Sequence, residues 1–311
     1  MAIIKLLSDF DGVWTDQQSE AEYVWNYIVT RLSQLTGDSP KVIQALLDES
    51  KKDMDKSPYE YGWFYNGLVA AYYQEDPFGD NNAILDYINR AGRRSSHSNF
   101  KQRLAKIKDA VESKEKKTLA EFSNECFIKS TTQFKLEGKL KPDASAGKVV
   151  KELNAKGVEI VVVSNSKTEK IQHLFLKAGQ KTTNEQHLIR GKLHARGDAQ
   201  KFVIDNSYTK LPEFMEITGK YKVNLRRSGY HKILLEEKPD YVVGDVFSLD
   251  LALPIYLRMK ERSFRHMKMI QKLQPHTPKW VKDYLNKEEL RGIAFTIKNI
   301  DELPQIITNA K

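Results

Sequence analysis

The sequence predicts an α/β fold: a parallel sheet interrupted, just after its first strand, by a long helical insertion. Three observations carry this. Ala2 to Leu7, Val158 to Val163 and Tyr241 to Val243 are short apolar runs of the kind that fill buried parallel strands. Each stops at polar or glycine punctuation: Ser8-Asp9-Phe10-Asp11-Gly12, Ser164-Asn165-Ser166 and Gly244-Asp245. The second and third runs are each preceded by a segment with helical spacing, Ala144 to Ala155 and Tyr230 to Glu237, which is the βαβ pattern.

The remaining elements follow in order. From Gln17 to about Glu137 little reads as a buried strand. Glu20 to Leu35 places Val24, Ile28, Leu32 and Leu35 on one helical face. Val42 to Leu47, Gly62 to Tyr73, Ala83 to Ile88, Phe100 to Val111 and Leu119 to Phe127 also read as helical. Breaks fall at Gly37-Asp38-Ser39-Pro40, Ser57-Pro58, Asp76-Pro77-Phe78-Gly79 and Arg93-Arg94-Ser95-Ser96. Leu193 to Ile204, Tyr221 to Leu225 and Gly292 to Ile297 are further strand candidates, and Ile300 to Ile307 is a closing helix. The expected division is an α/β domain of residues 1–16 and 138–311 and a helical domain of residues 17–137.

A chain of 311 residues is long enough for a main domain and a second module. The single cysteine, Cys126, has no internal disulfide partner, which points to a reducing cytosol. The N-terminus lacks the pattern of a signal peptide, and no apolar stretch reaches the roughly 20 residues that span a bilayer. The net charge of +9 would suit a nucleic-acid surface, but the lysines are scattered rather than gathered into an aromatic-interleaved patch. A positive field attracts phosphorylated metabolites equally well.

The three punctuated strand ends matter most for function. In an open α/β sheet, ligands bind beyond the carboxyl ends of the strands. Singly, each motif has an ordinary explanation. Asp-x-Asp satisfies local backbone N–H groups in turns, Ser-Asn caps helices, and Gly-Asp makes turns. Together they bring Asp9, Asp11 and Asp245 to one sheet edge. Such oxygen ligands suit Mg²⁺, and no zinc-type cluster, serine-hydrolase elbow or Walker loop is present.

Asp9-Phe10-Asp11-Gly12-Val13-Trp14-Thr15-Asp16 resembles the first motif of the haloacid dehalogenase superfamily. Val161 to Asn165 resembles the second motif, and Gly244 to Asp250 the fourth, in the right order. The resemblance implies a Rossmann-like core with an all-helical cap in the first insertion position. It implies Asp9 as nucleophile and Asp11 as general acid and base. Mg²⁺ would be held by Asp9, the Asp11 carbonyl and Asp245, with Asp250 orienting them. Ser164 and Asn165 would bind phosphoryl oxygens. A second aspartate at position 11 is what phosphatases and phosphomutases of the superfamily carry; dehalogenases proper lack it. The reading is therefore Mg²⁺-dependent hydrolysis of a small phosphomonoester. The alternatives are a phosphomutase or a weakly catalytic binder of a phosphorylated or polyanionic partner.

The third motif departs from the pattern. A lysine is expected at the start of the helix before the fourth-motif strand, where this chain has Arg226-Arg227. Arg227 is assigned the catalytic cation and Arg226 a phosphate contact, with Lys201, Lys232 and Lys238 as alternatives elsewhere. The aromatics Tyr59, Tyr61, Trp63, Phe64, Tyr65, Tyr72 and Tyr73 are read as core of the helical module. The sequence leaves the oligomeric state open.

Overall fold

The computed structural model describes residues 3–182 and 193–309. In chain order its elements are β1 (Ile4–Ser8), α1 (Gln17–Thr36), α2 (Pro40–Met54), β2 (Gly62–Tyr65), β3 (Leu68–Tyr72), α3 (Pro77–Ala91), α4 (Asn99–Lys114), α5 (Leu119–Leu136), α6 (Ala146–Ala155), β4 (Val158–Val163) and α7 (Thr168–Lys177). There follow β5 (Leu193–Arg196), β6 (Phe214–Thr218), β7 (Tyr221–Asn224), α8 (Ser228–Glu237), β8 (Tyr241–Gly244), α9 (Phe247–Asp250), α10 (Ala252–Lys260), β9 (Lys268–Lys272), α11 (Lys279–Leu285), β10 (Ala294–Ile297) and α12 (Leu303–Asn309). Ala2, expected to open the first strand, lies outside the described residues.

The chain divides into two compact units. One comprises Met1–Asp16, Phe64–Ala71 and Lys141–Lys311; the other comprises Gln17–Trp63 and Tyr72–Leu140. The first is a Rossmann-like α/β unit. Its six strands run in the order β10-β9-β8-β1-β4-β5, and every pairing is parallel. Every residue of β4 is buried, Glu159 included, as a strand rich in valine and isoleucine and covered on both faces requires. Burying one such valine is worth about 1.5–3 kcal/mol relative to leaving it exposed.

The register places the site. Ser8 pairs with Val162 of β4 and Val243 of β8, so the three punctuated strand ends stop at one level. From central β1 the chain builds β4 and β5 on one side and β8, β9 and β10 on the other. Such a reversal of strand order is where open α/β sheets form their ligand crevice. Two strands of this part of the chain were not foreseen: Lys268–Lys272 supplies β9 of this sheet, and Phe214–Thr218 forms β6, which pairs antiparallel with the expected strand Tyr221–Asn224 in a separate hairpin.

The second unit is helical. Val24, Ile28 and Leu32 of α1 are buried with Leu47, Ile84, Ile88, Leu104, Ile107 and Phe122 in one apolar core. The helix starts are marked by Pro40 and Pro77 in the first turns of α2 and α3, which begin earlier than the expected Val42 and Ala83, and by the Thr118–Glu121 capping box of α5. Tyr61 packs edge-on against Tyr73 and Tyr87 within this unit.

Gly62 to Tyr73 departs from the helical expectation and forms the β2–β3 hairpin. Its turn is Asn66-Gly67, with φ of 49° and 78°, the left-handed pair that a two-residue type I′ turn demands. Phe64–Ala71 of this hairpin groups with the α/β unit, where Tyr65 meets Phe202 edge-on. No helix among the described residues is long and apolar enough to cross a membrane.

Candidate active site

The first motif begins where β1 ends. Asp9 N–H donates to Val243 O at 2.8 Å, extending the ladder by one bond before the chain turns. The turn closes with Trp14 N–H on Phe10 O and passes through Gly12 at φ +76°, a conformation glycine takes without strain. Phe10 and Trp14 are buried against Phe175 of α7. The Trp14 indole donates to Ser8 Oγ, which donates to Asp9 O, each at 2.7 Å. Aromatic packing thus fixes the loop that carries both aspartates.

Asp11 turns toward the second motif. Its Oδ2 accepts from Ser166 Oγ at 2.6 Å and from Ser164 Oγ at 3.4 Å, and its Oδ1 accepts from Lys170 Nζ at 2.8 Å. Burial pushes the Asp11 carboxyl up, but the Lys170 charge and the hydrogen bonds from Lys170 and Ser166 prevail and hold it below the usual range. Ser166 and Lys170 were not singled out from the sequence, though Lys170 stands one turn into the helix that follows the second motif.

The cation beside Asp9 is Lys201. Its Nζ contacts Asp9 Oδ1 and lies 2.6 Å from Asp250 Oδ1, and the ammonium is buried. Burial disfavours its charge, but Asp250 and Asp9 outweigh that and raise its pKa. For Asp9 burial dominates: against the pull of Lys201 and with the push of Asp250, its carboxyl rises to about 7. A solvent-exposed aspartate is already ionised at neutral pH. In the buried site Asp9 instead depends on neighbouring positive charge to be an anion at neutral pH.

The loop delivering Lys201 is strained and tightly packed. Asp198 and Gln200 have φ of 53° and 51°, unusual for residues with a Cβ. A Cβ on Gly197 would meet Thr168 N at 2.2 Å, so the loop lies directly on the second motif. Asn165 Oδ1 accepts Lys201 N–H at 2.7 Å. Asn165, expected at a phosphate, therefore uses its carbonyl oxygen to position the lysine.

The two arginines lie elsewhere. Arg227 is buried, with Nε donating to Asn224 O at 3.1 Å, Nη2 to Ala70 O at 2.6 Å and Nη1 to Lys201 O. It grips the backbone behind the lysine, while the lysine meets Asp9. Arg226 Nη1 donates to Asn206 O at 3.1 Å. Lys232 is an exposed helix-face residue 3.9 Å from Glu236, and Lys238 is the left-handed C-cap of α8. The β6–β7 hairpin lies between Lys201 and α8, so the lysine stands well before the helix where it was sought.

The fourth motif closes the group. A Cβ at Gly244 would lie 2.3 Å from Asp250 Cβ, so only glycine fits under Asp250. Asp250 Oδ2 accepts Val246 N–H at 3.0 Å, and Tyr230 Oη donates to Asp250 O at 2.9 Å, which fixes the carboxylate that holds Lys201. One oxygen each from Asp9, Asp245 and Asp250 lie within 4.8 Å of one another. This all-oxygen donor set fits a hard divalent cation. Within this group Lys201 pairs with both Asp9 and Asp250.

A family model described as haloacid dehalogenase-like hydrolase matches residues 6–201, a span that contains Asp9, Asp11, Ser164 and Lys201. No curated protein matches the chain. Among solved structures it is similar to a 2-haloacid dehalogenase from Pseudomonas syringae pv. Tomato DC3000, at 14% identity and a TM-score of 0.44 with 100% of each chain covered. It is also similar to a haloacid dehalogenase-like family hydrolase from Xanthomonas campestris, at 9% identity and a TM-score of 0.41, covering 99% of this chain and 92% of that one. A third is a haloacid dehalogenase-like family protein from Streptococcus pneumoniae, at 8% identity and a TM-score of 0.41, covering 97% and 98%.

Proposed function

We propose, from the premise that this chain belongs to the haloacid dehalogenase-like hydrolases, that it hydrolyses a small phosphomonoester through an aspartyl-phosphate on Asp9. The observation that carries the reading is Asp11. A second carboxylate stands two residues from the nucleophile, held by Ser164, Ser166 and Lys170. An alkoxide leaving group needs a proton, whereas a halide leaves without one, so a general acid at this position favours phosphoester over haloacid.

The chemistry is assigned to the chain's own groups. A carboxylate oxygen of Asp9 forms a bond to phosphorus as the bond to the leaving oxygen breaks. Asp11 is ionised in the free protein; an incoming phosphoryl anion raises its proton affinity, so it can carry the proton that the leaving oxygen takes. Water then attacks the acyl phosphate, Asp11 takes the water's proton, and inorganic phosphate leaves Asp9 free. Lys201, pinned between Asp9 and Asp250, keeps positive charge beside the nucleophile throughout. Ser164 and the N–H groups of its loop suit phosphoryl oxygens. Mg²⁺ held by Asp9, the Asp11 carbonyl and Asp245 would offset the repulsion between carboxylate and phosphate. The helical segment within residues 17–137 is assigned the role of a cap that selects the substrate.

A phosphomonoester panel assayed with Mg²⁺ and with EDTA, beside a halide-release assay on 2-haloacids, tests the reading. Phosphate release that needs metal and vanishes in Asp9→Asn is expected. Halide release without phosphatase turnover would overturn the substrate class, and undiminished hydrolysis by Asp9→Asn would overturn the covalent route.

A further inference from the structure

The strand beyond the fourth motif sends three polar side chains back into the site. Gln271 and Lys272 end β9, and Gln274 follows two residues later. Gln271 is fully buried, and its Nε2 donates to Asp245 O at 2.6 Å. Lys272 is also buried, and its Nζ donates to Gly12 O at 2.7 Å and Val13 O at 3.0 Å. Gln274 Nε2 bridges Gly12 O at 2.7 Å and Asp245 Oδ2 at 3.5 Å. A turn has no ladder to satisfy its carbonyls, and a buried carbonyl without a donor is costly. Here the donors for the first-motif turn come from the end of β9 and the residues just after it, and β9 pairs directly with β8, the strand that leads into Asp245.

We infer that Lys272 and Gln274 are positioning residues that lock the Asp9–Gly12 turn to Asp245 at the spacing a divalent cation requires. The inference rests on the metal-dependent reading above. Lys272 is the less expected partner, because a buried ammonium near a cation site repels the cation. The negative charges of Asp245, Asp143 and Asp16 also act on it. If it served only as their counter-charge, its loss would leave a more negative site and tighter metal binding. If it holds the turn, its loss lets Gly12 and Val13 move and metal binding weakens. The two roles predict opposite signs.

The test is direct Mn²⁺ binding, followed by electron paramagnetic resonance of free ion. The proteins are wild type, Lys272→Met, Lys272→Arg, Gln274→Leu and Asp245→Asn, each with its melting temperature measured in EDTA. The expected result is a Kd raised about tenfold or more in Lys272→Met and in Gln274→Leu, the range typical when the groups that orient metal ligands are removed. Lys272→Arg, which keeps the donors, recovers part of the loss, and the Gln274→Leu melting temperature stays within a few degrees of wild type. Unchanged or tighter binding in Lys272→Met overturns the positioning role. If that variant does not fold, Gln274→Leu decides alone, and wild-type affinity in it overturns the inference. Wild-type protein that takes up no Mn²⁺, or Asp245→Asn that binds like wild type, overturns the metal reading and the inference with it.

Discussion

The Nζ of Lys201 lies 2.6 Å from Asp250 Oδ1 and touches Asp9 with the same ammonium, so one buried cation is held between two carboxylates. Its two carboxylate partners fix where the charge sits. Lys201→Met is expected to lower kcat at least a hundredfold, the scale on which removing one preorganised electrostatic group acts. Lys201→Arg should recover little, because a planar fork cannot occupy the place of a point charge between two carboxylates. Steady-state kinetics on any substrate found in the panel decides this; a Lys201→Met enzyme within tenfold of wild type contradicts it.

Metal uptake should release a proton. Burial raises Asp9 from 3.8 to about 7, so below neutral pH the metal-free folded protein holds a proton there that a cation must displace. Apparent Mg²⁺ affinity is expected to rise about tenfold per pH unit up to about pH 7 and then flatten. The same shift sets a sign for folding. A carboxyl whose pKa is raised on folding contributes stability that is fully present below about pH 4 and is lost as pH rises through about 7. Calorimetry in two buffers of different ionisation enthalpy reads the proton directly, and no proton release at pH 6 would refute the coupling.

Arg227 supports backbone rather than chemistry. Arg227→Met leaves the carbonyls of Asn224, Lys201 and Ala70 without their guanidinium donor. A loss of about 3 kcal/mol in unfolding free energy is expected from stranding buried acceptors, with turnover falling because the Lys201 loop loosens. Denaturant unfolding measures the first effect. A variant as stable as wild type would show that the grip contributes nothing.

Gly244→Ala tests the contact beneath Asp250. The added Cβ would lie 2.3 Å from Asp250 Cβ, so either β8 or Asp250 must move. Overpacking of this kind costs about 1–3 kcal/mol. Because Asp250 anchors Lys201, kcat should fall more than tenfold while KM changes little. Kinetics and thermal melting on one preparation separate the two effects.

The readable parts of the sequence were those where one residue type at one place has one physical use. Asp9, Asp11 and Asp245 stood out because each follows a run of buried strand, and α1 because its valine, isoleucine and leucine recur at helical spacing. Lys201 was only one of several lysines. The β6–β7 hairpin separates it from the helix used to search for it, and distance along the chain says nothing about how a loop folds back. Strand β9 was missed for a related reason: its buried positions include Gln271 and Lys272, whose burial depends on partners at Asp245, Gly12 and Val13 that no local pattern reveals. The β2–β3 hairpin did carry a local signal. Asn66-Gly67 between two aromatic-rich stretches is the dipeptide that two-residue hairpins favour, and the helical surroundings masked it.

That hairpin changes how the insertion can be engineered. Ala70 lies within the inserted stretch of sequence, yet its carbonyl takes a donor from Arg227, which also grips the carbonyl of Lys201. A graft that exchanged residues 17–137 wholesale for another module would therefore discard an acceptor on which the core relies. A transplantable cassette has to be cut in two pieces around residues 64–71, which stay behind with the parent.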